Sequence, residues 1–495
     1  MRTLFSTFLL LSLVSCGDPA TASSATASAD QAPGATASAN SSVPANLDGR
    51  KLESPDIRIT VPRVPLEGAL LIGQLADQQY RVMEAVVEGE SVLFRRDEPL
   101  KPGHFYAYFS DGTSVQLILD QDQTLTLSTT KEDPVGDAVV KGNLDTELLY
   151  DVMRFEAGQQ EDFRRLGDAI RSAPPASPAY VALEAEREAL IEARDAYQDQ
   201  AFAKAPGSLF TSFKRAGRNP KLRDVRLPNG EIDEPGQVTA FRQDFWNEVD
   251  FNDPRLLNTP VIFNKLKRFM IELTPQNATA IIASADELTQ RTLDHPEFFK
   301  FVANWITLKY EPGKTTVMDG AAIHVHMIQN YFTRERAFWS DSMTVYGLQQ
   351  RADQMAHSLV GQPGPDITVP GIDGKPKRLY DLKKPYIAVF MYNPECDHCI
   401  EETPQLVRAY QSMKNELDVY AIALDTEDDK WKNFVRNNGM DVFTNVYDPT
   451  NRSIFKTYYV DNTPELYLLG PDRKIISKNI KVSQLAEALR LAKSK

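Results

Sequence analysis

Apolar and polar positions change their spacing twice along this chain, and each change marks a different kind of structure. Between residues 55 and 142 the period is two, as in Ile57-Arg58-Ile59-Thr60-Val61, which is the pattern of a strand with one buried face. Residues 104–110 and 114–120 flank Asp111-Gly112, a dipeptide suited to a tight hairpin turn, and the alternating run Thr124-Leu125-Thr126-Leu127 follows. Residues 53–142 are therefore expected to form an antiparallel β-sandwich.

From residue 143 to 357 the period becomes helical. Ser177-Pro178 and Thr259-Pro260 each read as an N-cap followed by proline at the first helical position. The second opens an apolar stripe of Ile262, Phe263, Leu266, Phe269, Met270 and Leu273, at spacings of three and four. Further helices are expected over 296–310 and 320–332, and no repeat of constant period is present. Residues 207–254, rich in Pro, Gly, Asn and Asp, predict a long loop within this all-α middle domain.

Gly361-Gln362-Pro363-Gly364-Pro365 breaks the helical pattern. Beyond it strands (386–392, 418–425, 443–447, 465–469, 474–477) alternate with helices (401–415, 430–438, 452–458, 482–493). That order predicts an α/β sheet covered on both faces over residues 358–495. The chain is thus expected to be multidomain, as its 495 residues require at roughly 100–200 residues per domain.

The N-terminus and the charge add a location. Met-Arg-Thr precedes an apolar run from Leu4 to Val14 and then Ser15-Cys16, the layout of a secretory signal. The run is too short to span a bilayer, which takes about 20 residues. Leu13-Val14-Ser15-Cys16 resembles a bacterial lipobox, which implies removal of residues 1–15 and acylation of Cys16, and two membrane signals suffice for stable anchoring. Residues 16–52, mostly Ala, Ser, Thr, Pro and Asn, predict a flexible tether. The rest is expected in the cell envelope, on the periplasmic side or at the outer membrane, where thiols oxidise readily. A net charge of -13 repels polyphosphate, so nucleic acid is not an expected partner.

Cys396-Asp397-His398-Cys399 stands where the first long strand of the α/β region gives way to a helix. There the first sulfur meets unpaired backbone N–H groups and the positive end of the helix dipole, which favours thiolate. The second, one turn on, can resolve a mixed disulfide. Zinc would need about four ligands, but the remaining cysteine is Cys16 and the histidines have no paired spacing near the motif. A purely structural disulfide closing so short a loop would stabilise little. Redox chemistry is the favoured reading, with no metal and no cofactor beyond the Cys396–Cys399 pair.

Cys396-Asp397-His398-Cys399-Ile400-Glu401-Glu402-Thr403-Pro404 resembles the Cys-x-x-Cys-x-x-Glu-x-Pro signature of TlpA/ResA-like thioredoxin-fold proteins, over residues 358–495. The resemblance implies a cis-proline at Thr463-Pro464 that helps hold substrate backbone, an inserted helix and strand at 430–447, and a proton-relay role for Glu402. It implies disulfide-containing envelope proteins as substrates and a membrane electron donor. The β domain is similar to those found ahead of thioredoxin modules in envelope lipoproteins. Where many thioredoxins carry tryptophan before the first cysteine, this chain has Glu395. Glu395 and Asp397 oppose a thiolate that His398 and the helix end favour, so electron flow toward reduction, or toward oxidation or isomerisation, stays open. A surface binding lipoprotein with an accessory thioredoxin module is the reading from another class. A peroxidase is disfavoured because Asn393 stands where a peroxiredoxin carries Thr.

Overall fold

Strand alternation becomes two facing sheets in the first part of the chain. The computed structural model describes residues 51–494 except 176, 451 and 461, so Cys16, the signal segment and nearly all of the tether lie outside the described residues. The chain divides into two units, Met1–Phe269 and Met270–Lys495.

The first unit contains β1 (Asp56–Thr60), β2 (Leu70–Leu75), β3 (Gln78–Glu84), β4 (Val86–Glu88), β5 (Ser91–Arg95), β6 (Gly103–Tyr108), β7 (Ser114–Leu119), β8 (Thr124–Ser128) and β9 (Val139–Lys141). They form sheets of order β4-β5-β1-β8-β9 and β3-β2-β6-β7. Every pairing is antiparallel except β1 with β8, where Ile57 lies beside Leu125. Ile57, Ile59, Phe94 and Leu127 share one core with Leu71, Phe105, Ala107 and Leu117 of the other sheet. This is the expected β-sandwich. The β6–β7 hairpin pairs Tyr108 with Ser114, and Gly112 takes the left-handed φ of 88° that its turn requires.

Helices α1 (Leu144–Ser172), α2 (Pro178–Lys204), α3 (Leu209–Gly217), α4 (Glu234–Asp244) and α5 (Val261–Lys267) complete this unit. The 207–254 segment is therefore not one long loop. Ser208 caps α3 by accepting from the Thr211 N–H, while Leu209, Phe210 and Phe213 are buried. Asp233 caps α4, whose first turn carries a proline. Both caps are visible in the sequence but were outweighed by the segment's breaker composition. The Thr259-Pro260 stripe is also interrupted: α5 gives way to a π-turn over Arg268–Glu272.

The second unit begins with α6 (Ala278–Thr292), α7 (Pro296–Lys309), α8 (Gly320–Tyr331) and α9 (Ser342–Ala356), so the helical middle of the chain is shared between the two units. A short hairpin follows, β10 (Thr368–Pro370) with β11 (Pro376–Arg378). At three residues per strand it is too brief to show a period. Then come β12 (Tyr386–Tyr392), α10 (Asp397–Met413), β13 (Leu417–Leu424), α11 (Asp428–Asn437), β14 (Thr444–Asp448), α12 (Arg452–Tyr458), β15 (Glu465–Leu469), β16 (Ile475–Ser477) and α13 (Leu485–Lys493). The sheet order is β14-β13-β12-β15-β16, with β12, β13 and β14 parallel and β15 antiparallel to β12.

Every residue of β12 is buried, as a central strand covered on both faces must be. Ala388, Phe390 and Tyr392 face a core that includes Cys399, Leu406, Trp431 and Leu485. Ile387, Val389 and Met391 face another with Leu379, Ile454 and Tyr458. The end of β12 is thereby fixed from both sides. Phe390→Ala should cost about 3–5 kcal/mol of unfolding free energy, whereas a change at the exposed Ile372 to Ala should stay within about 0.5 kcal/mol. Urea titration of both variants, following the transition of this unit, checks the difference.

Candidate active site

The turn that leaves β12 is built by Asn393. Its side-chain Oδ1 accepts from the Glu395 N–H at 2.8 Å, its carbonyl accepts from the Cys396 N–H at 3.1 Å, and its Nδ2 donates to the Asp425 carbonyl at 3.1 Å. The chain is thus turned sharply and tied to the end of β13. Cys396 then occupies the N-cap of α10 with extended backbone angles, φ -85° and ψ 124°. Its sulfur lies where first-turn N–H groups lack intrahelical partners.

The two sulfurs occupy opposite environments. Cys396 is half-buried and Cys399 fully buried. Partial burial works against ionisation of Cys396, but hydrogen bonds from the Cys399 and His398 backbone, the Cys399 thiol and Thr463 outweigh it, so its pKa falls below that of an ordinary thiol. Burial pushes the Cys399 thiol up to about 12, although the Asn393 N–H donates to its sulfur at 3.4 Å and partly offsets the effect. A partly accessible thiol of raised acidity and a buried thiol of lowered acidity therefore stand one helical turn apart.

Thr463 and Pro464 come to the same place. The peptide bond between them is cis, and the Cys396 thiol donates to the Thr463 carbonyl at 3.3 Å. Glu402 lies one turn beyond Cys399 on α10, half-buried, with Oε2 accepting from the Val482 N–H at 3.0 Å. Asp397 and His398 lie at the surface, both exposed. Glu395, also exposed, pairs with Lys430 at 2.9 Å, an arrangement worth little in stability at a wet surface. The structure therefore groups Cys396, Cys399, Thr463 and Pro464, sets Glu402 against the start of the C-terminal turn, and leaves Asp397 and His398 on the outer side of the helix start.

Sequence reasoning overlooked the structural part of Asn393, although Asn-Pro is a turn dipeptide. His324 and His326 have separate partners, the Thr307 carbonyl at 2.9 Å and Asp286 at 2.6 Å. Among the described residues no group of three or more His, Cys, Asp or Glu side chains is placed to hold a metal ion.

The opposed thiol environments should show in alkylation by iodoacetamide of the reduced protein. Cys396 should react with an apparent pKa below that of free cysteine, its reactivity lost as pH falls through that value. In Cys396→Ser, Cys399 should stay unmodified below about pH 9 until the protein is unfolded. Equal rates at the two positions, read by mass spectrometry, would contradict the assignment.

Comparison with known proteins agrees with this geometry. The AhpC/TSA family profile matches residues 360–480. The thiol-disulfide oxidoreductase ResA of Bacillus cereus is 30% identical over 123 residues, which are 24% of this chain and 69% of that protein. The ResA of Bacillus thuringiensis is 28% identical over 122 residues, with the same coverage of each chain. Among solved structures, a thioredoxin-like protein from Bacteroides caccae aligns with 55% of this chain and 99% of its own, at 17% identity and a TM-score of 0.45. Through residues 360–480, which carry the two sulfurs on a thioredoxin-like α/β sheet, the chain belongs to the AhpC/TSA-family, ResA-like thiol-disulfide oxidoreductases.

Proposed function

We propose that this protein is a membrane-anchored reductant of disulfides in envelope proteins, working through Cys396 and Cys399. The observation that carries the reading is the contrast between a half-buried sulfur with a lowered pKa and a buried one pushed up to about 12. The Cys396 thiolate attacks one sulfur of a substrate disulfide. That S–S bond breaks, the displaced sulfur takes a proton, and a mixed disulfide joins Cys396 to the substrate. Cys399 then loses its proton and attacks Cys396 Sγ, releasing the second substrate sulfur as a thiol. Two electrons have moved: the substrate disulfide is reduced to two thiols, and the enzyme dithiol is oxidised to the Cys396–Cys399 disulfide. No further cofactor is needed, and a membrane electron donor restores the dithiol.

Thr463 and Pro464 are assigned to substrate backbone, and Asp397 and His398 to tuning of the neighbouring thiolate. Glu402 is assigned the proton exchange with Cys399, which it follows by three residues on one helix face. Acylated Cys16 would hold the protein on a bilayer, a reading supported by the Leu13-Val14-Ser15-Cys16 sequence. Among the described residues no helix is long and apolar enough to cross a membrane.

Insulin reduction by the full chain tests the nucleophile: Cys396→Ser should abolish it, and unchanged turnover would eliminate the assignment. Cys399→Ser should accumulate mixed disulfides with envelope proteins, and their absence on non-reducing gels would count against protein substrates. A reduction potential near about -270 mV supports a reductant and one near about -120 mV an oxidant. Glu402→Gln should slow release from the mixed disulfide about tenfold or more, as loss of proton transfer does. A release rate within twofold of the parent would leave Glu402 only its bond to Val482.

A further inference from the structure

In the second unit a cavity of about 150 Å³ opens against Pro464. Pro312, Ala321 and Met355, from the segment that carries α7, α8 and α9, form part of its wall, and Asn462, Glu465 and Lys478 are among the residues opposite. The volume is comparable to that of a pocket able to hold one benzene-sized group. The Thr463 carbonyl meets Cys396 Sγ at 3.3 Å, so the nucleophile and this opening border the same short loop, through Thr463 and Pro464 respectively.

Two buried polar groups here have unused capacity. Lys478 is 4% exposed. Its Nζ lies 5.3 Å from the Tyr467 ring centroid and donates to Ser358 Oγ at 3.3 Å. An ammonium carries three donors, and this one long bond, among the described residues, does not exhaust them. Asp319 is also buried. Its Oδ2 accepts from the Val360 N–H at 2.9 Å, while Oδ1 has no hydrogen-bond partner among the described residues. Burial lowers the Lys478 pKa, and the nearby Glu465 and Asp319 carboxylates only partly offset that effect.

We infer that this cavity is a side-chain subsite of the oxidoreductase, taking from the substrate polypeptide a neutral amide side chain next to the attacked cysteine. The inference rests on Cys396 being the nucleophile. Pro312, Ala321 and Met355 enclose the apolar stem, and Lys478 donates to the amide carbonyl. A charged side chain of either sign loses its hydration on entering and meets a like charge, Asp319 and Glu465 or Lys478, whereas a neutral amide does neither. The helical segment thereby contributes to substrate choice and not only to packing.

The test uses the reduced full chain and disulfide-linked peptide dimers that differ only at the residue beside cysteine: Gln, Glu, Leu or Lys. Each second-order rate is divided by the same protein's rate with dithiobis(nitrobenzoate), a small aromatic disulfide. The glutamine peptide should react about tenfold faster than the other three, the size expected of one hydrogen bond to a buried charge. In Ala321→Leu, which fills the cavity, and in Lys478→Met, which removes the donor, that preference should fall below about twofold. Wild-type rates within twofold of one another would overturn the subsite, and because this arm needs no variant it stands even if a substitution unfolds the protein. A preference for Glu, Leu or Lys, or a glutamine preference that survives both substitutions, would overturn it as well. Failure of the wild type to reduce the aromatic disulfide would strike the nucleophile assignment itself, and the subsite with it.

Discussion

The chemistry of this protein depends on holding one sulfur at the open end of a helix while burying another a single turn further along. Both requirements are met by where α10 begins. Because β12 is buried along its whole length and Asn393 fixes the turn that follows, Cys396 falls on the N-cap and Cys399 on the inner face of the helix. A shift of one residue would exchange a surface position for a core one, since neighbours on a helix point about 100° apart. The difference in acidity between the thiols follows chiefly from burial and from hydrogen bonds to the two sulfurs. Glu395 is paired with Lys430, and His398 faces water, where charge effects are screened.

The loop bearing the cis Thr463-Pro464 bond faces the sulfurs on one side and the helical segment of the same unit on the other. Ser358, just past α9, donates its hydroxyl to the Tyr458 carbonyl at 2.7 Å, and Tyr467 donates to Glu465 at 2.7 Å. Buried polar bonds of this kind are costly to leave unsatisfied, so they specify one arrangement of the loop more sharply than apolar contacts alone would. The cavity beside Pro464 is accordingly lined by residues from outside the thioredoxin-like sheet as well as from within it.

The sequence determined the local features with strong periods or particular dipeptides. The β6–β7 hairpin was legible from Asp111-Gly112, the central strand from its unbroken apolar run, and the placement of Cys396 and Cys399 from a strand-to-helix junction. Where a composition rich in breakers competed with caps, composition misled: α3 and α4 lie in the stretch expected to be a loop, although Ser208 and Asp233 mark their starts. The β10–β11 hairpin was too short to leave a pattern.

Tertiary structure decided what depends on residues far apart in the chain. The approach of Thr463 to Cys396 spans 67 positions, and the bond from the Val482 N–H to Glu402 spans 80. The grouping of Asp319, Ser358 and Lys478 joins a helical stretch to the end of the last strand of the sheet. Hydrophobic period reports which face of an element is buried, but not which other element buries it. Acidity, access and the shape of the space beside the nucleophile are set by that second choice, because dielectric and hydrogen-bond geometry belong to the assembled neighbourhood and not to any one segment.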